Sequence, residues 1–386
     1  MKKIRISLLG WVAIAIAGGV LFGQFLPASI ARLFVTFNGL FGNLLKFAIP
    51  LIILGLVAPA IGELGKGAGR LLVITTIIAY GSTLFAGFFT YFSSMAVFPH
   101  ILSPETTLTA LENPEDFMLT PFFTVEIPPL MDIMTSLVLA FVIGLGISAI
   151  KGSVLQSFFV DFRDIITKFI SAVIVPLLPL HIFGIFLNIT VSGQVAVVIL
   201  MFLKVIAFIF ILHITILLIY FSVGGAIGKK NPFMMLKTML PAYLTALGTQ
   251  SSAATIPVTL RQALKLGLRE QIVVFTIPLC AAIHMPGSTL KIVSCAIAIM
   301  MMAGEPVALT QYAGFIMMLG IVMVAAPGVP GGAIMSSLGL LGSMLGFNET
   351  LLALMIALYI AMDSFGTACN VTVDGAVATV LNKIAK

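Results

Sequence analysis

Two acidic residues stand alone in the last hydrophobic segment of the chain. Asp363 and Asp374 lie within residues 351–381, a segment of otherwise membrane-like composition that contains no Lys or Arg. A charged side chain at the middle of a bilayer costs about 2.5–3.5 kcal/mol even on the lenient insertion scale. The segment therefore predicts that both carboxylates face a polar cavity, where they bind a cationic group, an ion or both.

The spacing of the polar residues places them on one face of this segment. Asp363, Thr367, Asn370 and Asp374 recur at intervals of four, three and four residues, which align them along a helix. A structural polar seam between helices is the alternative interpretation. The two acids would be about 16 Å apart along the helix axis at ~1.5 Å per residue, too far to share a proton. An intramembrane aspartyl protease is thereby disfavoured, and we predict that the protein is not an enzyme.

Composition places the rest of the chain in a membrane. Of 386 residues, 60% are hydrophobic and 9% are charged, whereas ordinary soluble domains carry about 25% charged residues. The net charge of +6 comes from dispersed residues, so we expect no nucleic-acid partner. No Lys or Arg lies between Arg70 and Lys151, and the positive-inside rule makes that acidic stretch external. We predict a multi-pass protein of a prokaryotic cytoplasmic (inner) membrane, with both termini cytoplasmic and no cofactor.

Hydropathy predicts an all-α polytopic fold with eight transmembrane helices. The expected spans are 6–26, 37–61, 71–97, 128–150, 166–188, 195–227, 271–303 and 350–381. Residues 233–263 and 307–347 are also apolar, but Gly, Pro and Ser interrupt them and the charge pattern places both ends of each on one side. Such segments are typical of re-entrant helical hairpins that meet near the midplane in transporters. Ordinary kinked helices are the alternative.

Four motifs carry a resemblance to a known family. They are SSAATIPVT (251–259), PLCAAIHMPGSTL (278–290), GVPGGA (328–333) and DSFGTACNVTVDG (from Asp363). In order and spacing they resemble the hairpin tips and the last two helices of the glutamate transporter family, the dicarboxylate/amino acid:cation symporters. The resemblance is specific over residues 240–380.

The resemblance implies a homotrimer that works as an elevator in the lipid bilayer. Helices 1 and 2 (residues 1–70) would belong to a fixed scaffold, and helix 3 (71–97) to a mobile transport domain. Residues 128–227 would hold helices 4 and 5 of the scaffold and helix 6 of the transport domain. Residues 233–386 would form the transport core, with hairpin 1, helix 7, hairpin 2 and helix 8.

The resemblance also implies which residues bind substrate and ion. Asp363 would pair with the ammonium group of an amino acid, and Asn370 would hold its α-carboxylate. The implied substrate-binding residues are Ser251, Ser252, Val329, Gly331, Asp363, Gly366, Thr367 and Asn370. The candidate Na⁺ site comprises Cys280, His284, Asn370 and Asp374.

One departure from the family pattern concerns the substrate. Members that carry acidic substrates have Arg where this chain has Gly366. Without a guanidinium there is no bidentate clamp for a side-chain carboxylate. We therefore expect a neutral amino acid, and Gly366 leaves room for a larger side chain. A dicarboxylate or other organic-anion symporter of the same fold, or a channel-like anion pathway, is the alternative.

A second departure concerns the coupling ion. His284 and Pro286 replace the Asn and Asp of a family sodium site, and an ungapped comparison puts Ile78 and Ala79 where hydroxyl-bearing residues are expected. One sodium site is therefore predicted to be missing. Proton coupling through His284, Asp363 or Asp374, and sodium coupling with fewer ions, both remain open. Lys291 lies near these motifs, and either its amine reaches the membrane interface or it pairs with an acid.

Overall fold

The computed structural model describes residues 8–65, 70–102, 119–150, 152–193, 195–326 and 330–385. Helices are the regular elements of these ranges, which contain no strand. The helices are α1 Leu8–Gly23, α2 Ala28–Gly65, α3 Arg70–Ile101, α4 Ile133–Ala149, α5 Val154–Phe169, α6 Val175–Val191, α7 Val195–Gly228, α8 Pro232–Thr249, α9 Ser252–Lys265, α10 Glu270–Ile283, α11 Pro286–Met302, α12 Leu309–Ala325, α13 Gly332–Leu345, α14 Glu349–Ala361 and α15 Asp363–Ile384. A π-helical turn, Ile170–Ile174, joins α5 to α6.

Several of these helices are suited to a bilayer. Five helical stretches of the described ranges are long and apolar enough to cross a membrane, or six if α14 and α15 form one bent span. The helices at the predicted first and fourth spans, α1 and α4, are shorter, with 16 and 17 residues. An all-helical membrane protein is therefore supported, and the count of eight spans stays a prediction.

The two segments predicted as hairpins each contain a pair of helices. In the first pair, α8 and α9 pack against each other around Gln250, whose positive φ of 53° reverses the chain before Ser251 caps α9. In the second pair, α12 packs against α13, which begins after Gly331 with a φ of 74°. Both turns need the left-handed backbone that glycine adopts most readily. Val329, at the second turn, lies outside the described residues.

The last two predicted spans are interrupted. His284 and Met285 separate α10 from α11, and Met362 separates α14 from α15 with a bend of 60°. The segment 350–381, predicted as one span, therefore contains two helices joined at a bend. A break in an apolar segment frees backbone polar groups, which is tolerated where neighbouring groups satisfy them. At this break the carbonyl of Met362 accepts hydrogen bonds from the N–H groups of Phe365 and Gly366 and one more from Lys291.

α11 and α15 form the centre of the helical core. Every residue of α11 is buried except Met301, which is partly buried. α15 packs against α7, α8, α9, α10 and α11, while α3 covers another side of α11. Elsewhere, α2 packs on α4, α5 and α6, and α1 packs on α6. The polar residues of α15 are thus enclosed by other helices of the chain.

Candidate functional site

The polar face predicted from residue spacing is present on α15. Asp363, Thr367, Asn370 and Asp374 all lie on this helix and are buried, with exposures of 6%, 8%, 3% and 1%. Buried polar groups require partners. Their partners determine what this face is able to bind.

Asp363, at the first turn of α15, has a partner on each carboxylate oxygen. Oδ1 accepts a hydrogen bond from Nζ of Lys291 at 3.2 Å, and Oδ2 accepts one from the backbone N–H of Gly331 at 2.7 Å. Asp363 therefore pairs with a cationic group of the chain itself. The partner lies on α11, 72 residues away along the chain. The Gly331 contact joins the second helical pair to the site.

Lys291 is completely buried, and its ammonium has three neighbours. Besides the Asp363 carboxylate, Nζ lies 3.3 Å from the carbonyl oxygen of Met362 and 3.7 Å from the ring centroid of Tyr359. A cation over an aromatic face is attracted by the ring quadrupole, more strongly where water is excluded. Of the two roles left open for Lys291, pairing with an acid is confirmed, and reaching the membrane interface is excluded.

Gly366 faces the Lys291 side chain. A Cβ atom added at Gly366 would overlap Cε of Lys291 and would lie 2.5 Å from Nζ and 3.1 Å from Cδ. The space left by the missing side chain is therefore occupied. The expectation that Gly366 leaves room for a larger substrate is wrong, because Lys291 fills that room from the neighbouring helix.

Asn370 binds the start of α11. Its Oδ1 accepts hydrogen bonds from the N–H groups of Gly287 at 2.7 Å and Ser288 at 3.3 Å, and its Nδ2 donates to the Ser288 hydroxyl at 3.0 Å. The first N–H groups of a helix have no partner within it, so the Asn370 amide satisfies two of them. A contact between Asn370 and a substrate carboxylate stays a prediction, and it would compete with these bonds.

The second acid, Asp374, contacts His284 at the break between α10 and α11. Its Oδ1 lies 2.8 Å from Nδ1 of His284, whose Nε2 lies 2.8 Å from the Ser82 hydroxyl of α3. Both side chains of the pair are buried. Ser82 follows Ile78 by four residues, one helical turn, so α3 supplies a hydroxyl to His284.

Three residues of the candidate Na⁺ site lie close together. The ligand atoms of Cys280, His284 and Asp374 all lie within 4.8 Å of one another. Hard cations prefer oxygen ligands, whereas this group offers one carboxylate, a thiol and an imidazole whose two nitrogens already have partners. A continuous hydrogen-bonded chain runs from Asp374 through His284 to Ser82.

The remaining predicted residues contribute to local structure. The Thr367 hydroxyl donates to the backbone carbonyl of Asp363 at 3.0 Å. Ser251 caps α9 by accepting from the N–H of Ala254, and Ser252 is buried at the start of α9, which packs on α15. Val329 lies outside the described residues. The structure thus brings Gly331, Gly366 and Asp363 together around Lys291, a residue that was not among the predicted site residues.

This chain is similar to one family model and to several known transporters. A family model described as "Sodium:dicarboxylate symporter family" matches residues 8–384. The chain is 28% identical over 342 residues to a serine/threonine transporter of Bifidobacterium adolescentis, covering 82% of this chain and 76% of that protein. It is 31% identical over 170 residues to excitatory amino acid transporter 2 of Homo sapiens, covering 44% of this chain and 29% of that protein. The match to the Mus musculus protein of the same name has the same extent.

Proposed function

The chain belongs to the sodium:dicarboxylate symporter family, and we propose that it is a secondary active transporter that couples the import of a small carboxylate-bearing solute to a cation gradient. The observation that carries this proposal is the buried polar face of α15, which the Gly331 N–H of the second helical pair contacts. Contacts between a broken helix and a helical turn are typical of transporter substrate sites. The protein would act as a homotrimer of elevator type in a cytoplasmic membrane.

The first candidate substrate is a neutral amino acid. No guanidinium stands at position 366, so nothing there clamps a second carboxylate through two parallel hydrogen bonds. The similarity to a protein named as a serine/threonine transporter, which extends over most of both chains, supports this candidate. In this proposal Asp363, Thr367, Asn370, Gly331 and the start of α9 form the substrate site.

The second candidate is a dicarboxylate or another organic anion. The ion pair between Lys291 and Asp363 favours it, because the carboxylate expected to hold a substrate ammonium already holds one. The two candidates differ in a single chemical property, which is whether the transported carboxylate must also carry an amino group.

The coupling cation is proposed to be H⁺, with Na⁺ as the alternative. The hydrogen-bonded chain of Asp374, His284 and Ser82 supports H⁺, because imidazole is the side chain best suited to exchange a proton near neutral pH. The poor fit of a thiol and an engaged imidazole to Na⁺ supports the same choice. The family description supports Na⁺.

Uptake by the purified protein in liposomes tests this function. Labelled neutral amino acids and organic anions are offered separately under an inward sodium gradient and under an inward proton gradient. We expect concentrative uptake of at least one class under at least one gradient, and none in empty liposomes. Uptake of neither class under both gradients would contradict the proposal.

A further inference from the structure

The three groups around the Lys291 ammonium form a complete binding site for an amine. A carboxylate, a backbone carbonyl and an aromatic face surround Nζ, contributed by Asp363, Met362 and Tyr359. These are the groups by which proteins bind ligand ammonium ions, through charge, hydrogen bonding and cation–π attraction. We call this set the ammonium cage.

The occupant of the cage belongs to the chain itself. Lys291 enters from α11, and the absence of a side chain at Gly366 makes its position possible, since any Cβ there would overlap Cε. The fit therefore depends on two positions on two helices, Lys291 and Gly366. A Lys291 side chain that served only to fill the core would not require a glycine at position 366.

We infer that Lys291 takes the place of the substrate's amino group, so that the site accepts small carboxylates that lack an α-ammonium. This inference rests on the proposed transport function and specifies its substrate class. It makes Lys291 a specificity-determining residue. The expected substrates are hydroxy acids or dicarboxylates. Amino acids with the same carbon skeletons are excluded, because Lys291 already fills the ammonium cage.

Displacement of Lys291 by a substrate amine would be strongly unfavourable. The side chain has no exposure, and Asp363 is the acid with which it pairs in the described part of the chain. Removing one partner of a buried ion pair leaves the other charge uncompensated in a medium of low dielectric constant. An anionic substrate avoids this cost, because the charges of Lys291 and Asp363 already cancel before it binds.

Matched substrate pairs provide the test. Labelled serine and glycerate, alanine and lactate, and aspartate and malate share carbon skeletons and differ in an ammonium or a hydroxyl. Uptake of each is measured in proteoliposomes containing the wild type, Lys291→Met or Lys204→Met. Lys204 is the control, because its amine also lies in a membrane helix, α7, and donates to a backbone carbonyl, that of Ile101.

The wild type and the Lys204→Met variant are expected to take up the hydroxy acid at least tenfold faster than the matched amino acid. Lys291→Met empties the cage, so the preference within a pair should shift at least tenfold towards the amino acid. Lys291→Gln, which retains a hydrogen-bond donor, serves if the Met variant does not elute as a single species on size exclusion.

Three results would overturn the inference. The first is wild-type uptake that requires the amino group in every pair, which needs no variant and leaves the transport function intact. The second is an unchanged preference in folded Lys291→Met or Lys291→Gln. The third is uptake of no member of any pair by the wild type under either gradient, which would overturn the transport function as well.

Discussion

The replacement of Gly366 by Ala is predicted to destabilise the protein through its contact with Lys291. The added Cβ would overlap Cε of Lys291 and approach Nζ to 2.5 Å. Because α11 is enclosed by other helices, the Lys291 side chain has little space into which to retreat. Adding a methyl group to a packed core typically costs about 1–3 kcal/mol, and any shift of Nζ also weakens the pair with Asp363.

A double-mutant cycle measures this effect. Unfolding in detergent is followed for the wild type, Gly366→Ala, Lys291→Ala and the double variant. Residues in direct contact couple by about 0.5–3 kcal/mol, so the cost of Gly366→Ala should nearly vanish once Lys291 is shortened. Gly146 is a matched control, because a Cβ there would meet no atom within 4 Å. An equal cost of Gly366→Ala in both backgrounds would refute the proposed contact.

Three further predictions concern the same residues. Asp363→Asn should abolish uptake and lower the free energy of unfolding by about 3–5 kcal/mol, since it leaves the Lys291 ammonium buried without a counter-charge. Uptake and unfolding assays measure the two effects, and a variant as stable as the wild type would contradict the ion pair. The single variant Gly366→Arg should not take up solute, whereas the double variant Gly366→Arg/Lys291→Ala should transport acidic amino acids, because the cation is then on α15. Uptake of labelled aspartate by the two variants measures this difference, and equal uptake by both would contradict it. His284→Asn should flatten the dependence of uptake on pH, because the imidazole is the proposed proton carrier, whereas Ser82→Ala should retain that dependence. An unchanged pH profile in His284→Asn would mean that His284 has a structural role.

The polar face of α15 was predictable from the sequence because it depends on local geometry. The positions of Asp363, Thr367, Asn370 and Asp374 repeat with the helical period, so their common face follows from spacing alone. The same spacing gave no sign of the break at Met362. The break has no proline or glycine at its centre, and a residue from another helix, Lys291, donates a hydrogen bond to the Met362 carbonyl there.

The partners of the two acids could not be predicted in the same way. Lys291 and Asp363 are 72 residues apart, and His284 and Asp374 are 90 residues apart, so their contacts depend on how α10, α11 and α15 pack. The family resemblance indicated that the Arg of other members is absent at Gly366. It did not show which acid Lys291 would reach, because that depends on how α11 packs against α15.

The steady-state accumulation ratio of a transported solute tests cation-coupled symport most directly. Proteoliposomes are loaded to a series of sodium or proton gradients at fixed membrane potential, and the internal and external concentrations are measured after uptake stops. Coupled transport predicts a ratio above one that rises with the gradient of the coupling cation and falls to one when an ionophore collapses that gradient. A ratio that stays at one under every imposed gradient would contradict symport and would indicate a channel-like pathway.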